Sequence, residues 1–264
     1  SSSYTAERLL TALGAECIMS NSTPDGVNIN TQCGSTHPEH LQAMVKEHSC
    51  DLGLAFDGDA DRLIAVDPDG SLVTGDDMLY IAGRYLKEKG QLKGNTVVTT
   101  VMANLGLFKA LERDGINVCS TAVGDKYVYE KMCQEDYVVG GEQSGHIIFK
   151  KHLTTGDGLL SALQMLTIMK DTGKGIHELR QGLRIYPQLL VNIKVTDKEK
   201  AMKDEEVLKA EEETAAKLGN NGRILVRASG TEPLVRVMVE AETDEICASS
   251  VDSVASIVKQ KYGI

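Results

Sequence analysis

Tryptophan is absent from this 264-residue chain and phenylalanine occurs only three times. So few rings exclude the stacking platform that single-stranded nucleic acid requires. Long apolar runs are missing as well, and none approaches the roughly 20 residues that cross a bilayer. Nor does a basic-then-apolar stretch of the secretory kind occur at the start of these residues. Basic charge is in deficit: 28 Lys and Arg against 38 Asp and Glu leave a net charge of −10, which argues against a nucleic-acid surface. The six cysteines (Cys17, Cys33, Cys50, Cys119, Cys133, Cys247) lack CxxC spacing, so neither a cysteine zinc site nor a disulfide framework is expected. Reduced thiols, and hence a cytoplasmic location, are the expectation. The six histidines form no HExxH pair. What remains is 42% hydrophobic and 25% charged, ordinary for a soluble globular protein with more than one domain.

The first chemical signal is Asp57-Gly-Asp-Ala-Asp-Arg62, which follows the short apolar run Leu52-Gly-Leu-Ala-Phe56. Carboxylates at i, i+2 and i+4 point the same way if the segment is extended, because side chains alternate across a strand. Three converging oxygen donors suit a hard cation, Mg²⁺ before Ca²⁺. Arg62 adds a planar donor fork suited to a phosphate oxygen. An EF-hand loop is excluded, since its sixth and twelfth positions, Gly and Glu, are Arg62 and Pro68 here. The alternative is a solvated acidic turn.

Along the chain, apolar periodicity predicts helices at 5–13 and, opened by Pro38, up to about His48. From residue 75 the pattern alternates: a helix capped by Asp76 or Asp77, a β-branched strand at 96–101, a helix at 105–114, and strands at 116–119 and 137–139. Helices are expected near 126–134 and at 157–170. Such alternation predicts a parallel or mixed sheet carrying helices on its faces. The rhythm then changes to a strand at 189–195, a charged helix through Lys217, strands at 223–226 and 234–240, and a last helix at 244–261, read as a small α+β domain. The fold class is α/β, with expected divisions at 1–72, 73–183 and 184–264. No strand precedes the first helix, so the chain reads as a piece cut inside a domain.

Two further loops carry chemistry. Gly140-Gly-Glu-Gln-Ser-Gly-His146 follows a strand, where α/β sheets place ligands. Glu142, Ser144 and His146 offer an acceptor, a hydroxyl and an imidazole, a set suited to sugar hydroxyls; a purely structural glycine turn is the alternative. In Arg227-Ala-Ser-Gly-Thr-Glu-Pro-Leu-Val-Arg236, hydroxyls and backbone amides form an anion nest between two arginines. An ordinary hairpin turn is the competing reading. The GxxxxGK[ST] order of a nucleoside triphosphatase is absent.

In this order the three loops resemble the metal, sugar and phosphate loops of the α-D-phosphohexomutases. Thr99-Thr-Val-Met-Ala-Asn-Leu-Gly106, Ala122-Val-Gly-Asp-Lys-Tyr-Val128 and Leu153-Thr-Thr-Gly-Asp-Gly158 resemble the bacterial phosphoglucosamine mutase branch. The resemblance implies an intramolecular phosphotransferase that interconverts glucosamine 6-phosphate and glucosamine 1-phosphate through a phosphoserine and a bisphosphate. One Mg²⁺ would sit on Asp57, Asp59 and Asp61, and the bisphosphorylated sugar would serve as intermediate and activator. Arg62 and His146 would be catalytic, His146 as a proton-transfer partner. Lys126, Glu142, Ser144, His146, Arg227, Ser229, Gly230, Thr231 and Arg236 would bind substrate. The family's Ser-His-Asn-Pro nucleophile loop does not occur in these residues. Expected partners are therefore a phosphorylated hexosamine, the N-terminal domains of the same enzyme and, in self-association, a homodimer; neither nucleic acid nor membrane is expected. Ala60 stands where many members carry Gly, and Lys126 where this branch often carries Arg.

Overall fold

Apolar residues at helical spacing bury Ala6 and Leu10 on helix α1 (Ser2–Ala12). The computed structural model describes residues 2–264. After a long loop, helix α2 (Glu39–His48) starts at Pro38 and stops at Ser49, whose left-handed backbone closes it. The apolar runs that flank the acidic segment form an antiparallel hairpin, β1 (Gly53–Phe56) and β2 (Leu63–Val66), extended by β3 (Leu72–Val73). The last rung pairs Phe56 with Leu63, so residues 57–62 are the hairpin loop.

Helix α3 (Gly75–Glu88) is capped by Thr74 rather than by the expected aspartates. Asp77 instead closes a capping box, its Oδ2 accepting from the Thr74 amide at 2.8 Å. Residues 75–83 of α3 are all buried, because the helix packs against strands on several sides. Then come β4 (Thr96–Thr100), α4 (Leu105–Arg113), β5 (Asn117–Thr121), α5 (Asp125–Gln134), β6 (Val139–Gly141), β7 (Ile147–Phe149), α6 (Gly158–Thr172) and the short α7 (Ile176–Leu179). The sheet order is β5-β4-β6-β7, parallel except for β7, so the mixed sheet is present. Strand β7 was not foreseen: its three apolar residues follow the glycine loop too closely to show any period. One core unites this sheet, α3, α4, α6 and the β1–β3 hairpin sheet.

The remaining elements are β8 (Gln188–Lys194), α8 (Lys198–Ala201), α9 (Glu205–Leu218), β9 (Arg223–Ala228), β10 (Leu234–Glu240) and α10 (Asp244–Tyr262). Strands β8-β10-β9 form an antiparallel sheet. Val235, Val237 and Val239 point to the face covered by α9 and α10 and make a second core with Val251, Val254 and Val258. The charged helix expected through Lys217 is two helices, each restarted by an aspartate cap, Asp197 and Asp204.

By packing, the chain divides into two compact units. One runs to Ala103 and resumes over Leu107–Leu183; the other comprises Asn104–Gly106 and Arg184–Ile264. In the second unit, buried Glu240 accepts from the Leu105 amide at 2.8 Å and from Arg223 at 2.7 Å, which fixes the 104–106 strap to β10. No helix among the described residues is long and apolar enough to cross a membrane.

Candidate active site

The acidic loop is not extended. Its turn is closed by the Ala60 amide donating to the Asp57 carbonyl at 3.1 Å, with Ala60 at φ +62°. Strand alternation therefore does not align the three carboxylates, contrary to expectation; the hairpin turn brings Asp57 and Asp61 together instead. The two carboxyl groups lie near enough to shift each other's ionisation in opposite directions. Burial, and then the neighbouring Asp61, raise the Asp57 carboxyl above its ordinary range. Burial opposes ionisation of Asp61 as well, but its hydrogen bond with Asp57 and the His146 ring outweigh that and lower it. Asp61 Oδ1 is buried and has no hydrogen-bond partner. Two convergent anionic carboxylates with an orphaned oxygen fit a hard divalent cation, which would relieve both the repulsion and the unmet acceptor. Asp59 is exposed in the bend, outside this pair, and Arg62 is exposed just beyond it.

A left-handed conformation costs a non-glycine residue about 1–2 kcal/mol. Ala60→Gly removes that strain and adds about 0.4–1 kcal/mol of unfolded-chain entropy. The expected outcome is a net gain of about 0.5–1 kcal/mol. Urea denaturation of the two proteins checks it; a loss of stability would show that Ala60 is not strained.

Three backbone bonds tie the acidic loop, its flanking strand and the 142–146 loop into one unit. Leu63 donates to the Gly145 carbonyl at 3.1 Å, Gly158 to the Ala60 carbonyl at 2.9 Å, and Gly75 to the Gln143 carbonyl at 3.0 Å. The loop at 142–146 thus lies against the acidic loop and the first turns of α3 and α6. His146 completes the junction. The Gly156 amide donates to its Nε2 at 2.9 Å, so that nitrogen is unprotonated; the proton sits on Nδ1 and is donated to Asp61 Oδ2 at 3.0 Å. The ring is 3% exposed. Both ring nitrogens are thus engaged in this structure, and the Nδ1–H bond orients the Asp61 carboxylate.

Glu142 is half-buried and its Oε1 accepts from the Gly124 amide at 3.0 Å, while Ser144, exposed, lies 3.5 Å from its Oε2. Lys126 stands on the first turn of α5, exposed, 3.7 Å from Glu130. The sequence reading did not single out Asp125, 3.8 Å from His146 Nε2, or Gly156, whose Cβ would fall 2.6 Å from the His146 ring. Both stand in stretches that resemble the phosphoglucosamine mutase branch, 122–128 and 153–158, and that resemblance was the available signal.

In the second unit, Arg227 and Arg236 are directly opposite on β9 and β10, so two guanidinium groups share one face of the sheet. Burial and the adjacent Arg236 lower the Arg227 pKa. Arg236 donates to the exposed Glu232 at 3.1 Å, yet its Nε is buried with no partner. Ser229 is buried, whereas Gly230 and Thr231 are exposed at the tip. Lys198, not anticipated, donates to the Ser229 carbonyl at 2.6 Å and braces the loop from α8. Paired guanidinium groups and an unmet donor have the chemistry to receive an anion.

Three models of one family match in succession: the Phosphoglucomutase/phosphomannomutase alpha/beta/alpha domain II over residues 1–70, domain III over 74–186, and the C-terminal domain over 190–257. The chain belongs to the phosphoglucomutase/phosphomannomutase family, the α-D-phosphohexomutases. It is 55% identical over 259 residues to the phosphoglucosamine mutase of Geobacillus kaustophilus. To that of Geobacillus thermodenitrificans it is 56% identical over the same length. Each match covers 98% of this chain and 58% of the relative, so the chain spans under two thirds of those proteins. Among solved structures, a phosphoglucomutase/phosphomannomutase family protein of Burkholderia thailandensis superposes with a TM-score of 0.82. It is 24% identical, over all of this chain and 60% of that one. Aspergillus fumigatus N-acetylphosphoglucosamine mutase, solved in complex with GlcNAc-6P and magnesium, gives 0.72 at 21% identity, over 87% of this chain and 57% of that one. These two likenesses show a common fold.

Proposed function

We propose that this chain is the metal-, sugar- and phosphate-binding part of a phosphoglucosamine mutase, which interconverts glucosamine 6-phosphate and glucosamine 1-phosphate by intramolecular phosphoryl transfer. The observation that carries this reading is the fastening of the acidic loop to the 142–146 loop within one unit, with Asp57 and Asp61 converged. The substrate is taken from the relatives at 55–56% identity.

Phosphoryl transfer depends mainly on positioning and on neutralising charge. Mg²⁺ held by Asp57 and Asp61, with Asp59 reaching it from the bend, would supply that neutralisation. Arg62 adds donors for a phosphate oxygen. Glu142, fixed by the Gly124 amide, accepts from a sugar hydroxyl, and the exposed Ser144 hydroxyl donates to another. Lys126 adds charge at the mouth of this loop. Arg227, Arg236, Ser229, Gly230 and Thr231 bind the phosphate that is not being transferred. Because this grip consists of charge, hydroxyl and amide groups, it accepts either end of a bisphosphate that has turned over. The divisions at 72/73 and 183/184, and a reducing cytoplasm that six unpaired thiols tolerate, belong to the same reading.

Joined to the N-terminal domains of the Geobacillus kaustophilus relative, the chain is expected to turn over glucosamine 6-phosphate. Turnover of glucose or mannose phosphates alone would move the assignment to phosphoglucomutase/phosphomannomutase. No turnover of any of the three, with phosphosugar still bound, would leave a binding module. Purified by itself, the chain is expected to show no interconversion, since these residues hold no Ser-His-Asn-Pro element; a rate above the blank refutes that. Arg236→Ala is expected to weaken glucosamine 6-phosphate binding by about 1.5–3 kcal/mol, the worth of hydrogen bonds to charged groups. Calorimetry showing unchanged affinity would remove Arg236 from the site.

A further inference from the structure

Asp67, Asp69 and His177 lie outside every loop discussed so far. Among the described residues, they are the set of three ligand-type side chains whose candidate atoms all fall within 4.8 Å of one another. Asp67 follows β2 and is 1% exposed; Asp69 is in the next turn; His177 is on α7. Asp67 Oδ2 is buried and has no hydrogen-bond partner. Two cationic or potentially cationic groups face it, His177 Nδ1 at 3.4 Å and Arg180 Nε at 3.8 Å. A direct N–H···O bond would measure about 2.7–3.2 Å. Two ligands each about 2.0–2.1 Å from a tetrahedral ion stand about 3.3 Å apart. The Asp67–His177 spacing of 3.4 Å matches the separation of two ligands around an ion and is longer than a good hydrogen bond between them.

The neighbouring groups agree with this. Asp69 Oδ1 accepts the Ser71 amide at 2.7 Å, which fixes its carboxylate and leaves lone pairs unused. Arg180 engages its Nη1 with the Leu72 carbonyl at 2.6 Å and with Asp77 Oδ1 at 3.5 Å, and its Nε stands 3.8 Å from Asp67 Oδ2, an ion-pair distance that is not a hydrogen bond. Two carboxylates against that one guanidinium leave net negative charge for a cation. An imidazole nitrogen with two carboxylate oxygens favours a borderline ion such as Zn²⁺ over Mg²⁺ or Ca²⁺, which take oxygen alone.

We propose that Asp67, Asp69 and His177 form a zinc-type divalent cation site, separate from the acidic loop, with water completing the tetrahedron. Because the ligands come from the turn after β2 and from α7, the bound ion staples these two segments of the first unit.

The test titrates the complete chain, thiols reduced, with Zn²⁺ alone against a competing chelator. The wild type is compared with His177→Ala and Asp69→Asn, both at exposed positions. The wild type is expected to bind one more equivalent than His177→Ala, and to hold it at least tenfold more tightly than Asp69→Asn. Its unfolding midpoint should rise with Zn²⁺ by more than that of either variant. Equal stoichiometry and affinity in all three proteins would overturn the proposal, as would displacement of that equivalent by equimolar Mg²⁺. Neither substitution touches the mutase loops, so the result is independent of the function proposed above.

Discussion

Replacing Asp61 by alanine is expected to weaken Mg²⁺ binding to the chain by at least about 100-fold, more than the 10–100-fold that loss of a mere supporting partner costs a metal site. Asp61 is one of two converged carboxylates, and its Oδ1 is a buried acceptor without a donor. The substitution also strands the His146 Nδ1–H, which now donates to Asp61 Oδ2. A buried donor left unpaired costs about 1–3 kcal/mol. Stability should therefore fall even though a like-charge contact has been removed. Asp61→Asn separates the two effects, because it keeps an acceptor for His146 but loses the charge: metal binding should still collapse while stability holds. Isothermal titration with Mg²⁺, or electron paramagnetic resonance with Mn²⁺, measures the first effect and denaturant melts the second. Affinity within threefold of wild type in Asp61→Ala would place the metal elsewhere.

Gly145→Ala should be the most damaging single-methyl change in the first unit. Gly145 sits at φ +92°, where a side chain is strained, and a Cβ there would lie 2.0 Å from the Leu63 carbonyl oxygen. The obstacle is backbone and has no rotamer to change. Relief means parting the two segments, which breaks the Leu63 N–H bond to the Gly145 carbonyl and shifts the acidic loop. Backbone strain of about 1–3 kcal/mol and a lost bond of about 1 kcal/mol together suggest a loss near 3 kcal/mol. At about 2–4 °C per kcal/mol for a unit of this size, the melting transition should drop by roughly 6–12 °C. Mg²⁺ affinity should fall with it, because the same contact positions Asp61. Differential scanning calorimetry with a parallel metal titration checks both; an unchanged melt with weakened metal binding would show that the contact serves the site alone.

Much of the architecture could be read locally. The β-branched run that became β4, the valine-rich run of β10 and the caps and periodicity of α10 each carry their own signal within a few residues. The errors lie where local pattern and tertiary packing differ. Strand β7 is three residues long and is held by its pairing with β6. The start of α3 moved to Thr74 because Asp77 reaches back from the third position to cap it. Alternation of the carboxylates holds only for an extended strand, whereas a hairpin must turn, and Ala60 does so in the left-handed region.

The candidate site divides along the same line. Residue types alone show carboxylates, a hydroxyl-bearing glycine loop and an arginine-flanked loop of Ser, Gly and Thr, in an order that resembles the hexomutases. Chemical identity is a property of single residues and survives in one dimension. Which atoms meet is a property of pairs remote along the chain. Asp61 with His146, His146 with Gly156, Lys198 beneath Ser229, and Asp67 beside His177 all depend on closures between distant segments that no periodicity encodes. Burial and the two bonds of His146, to Asp61 and from Gly156, are likewise products of the fold, because they join segments that lie far apart in the sequence.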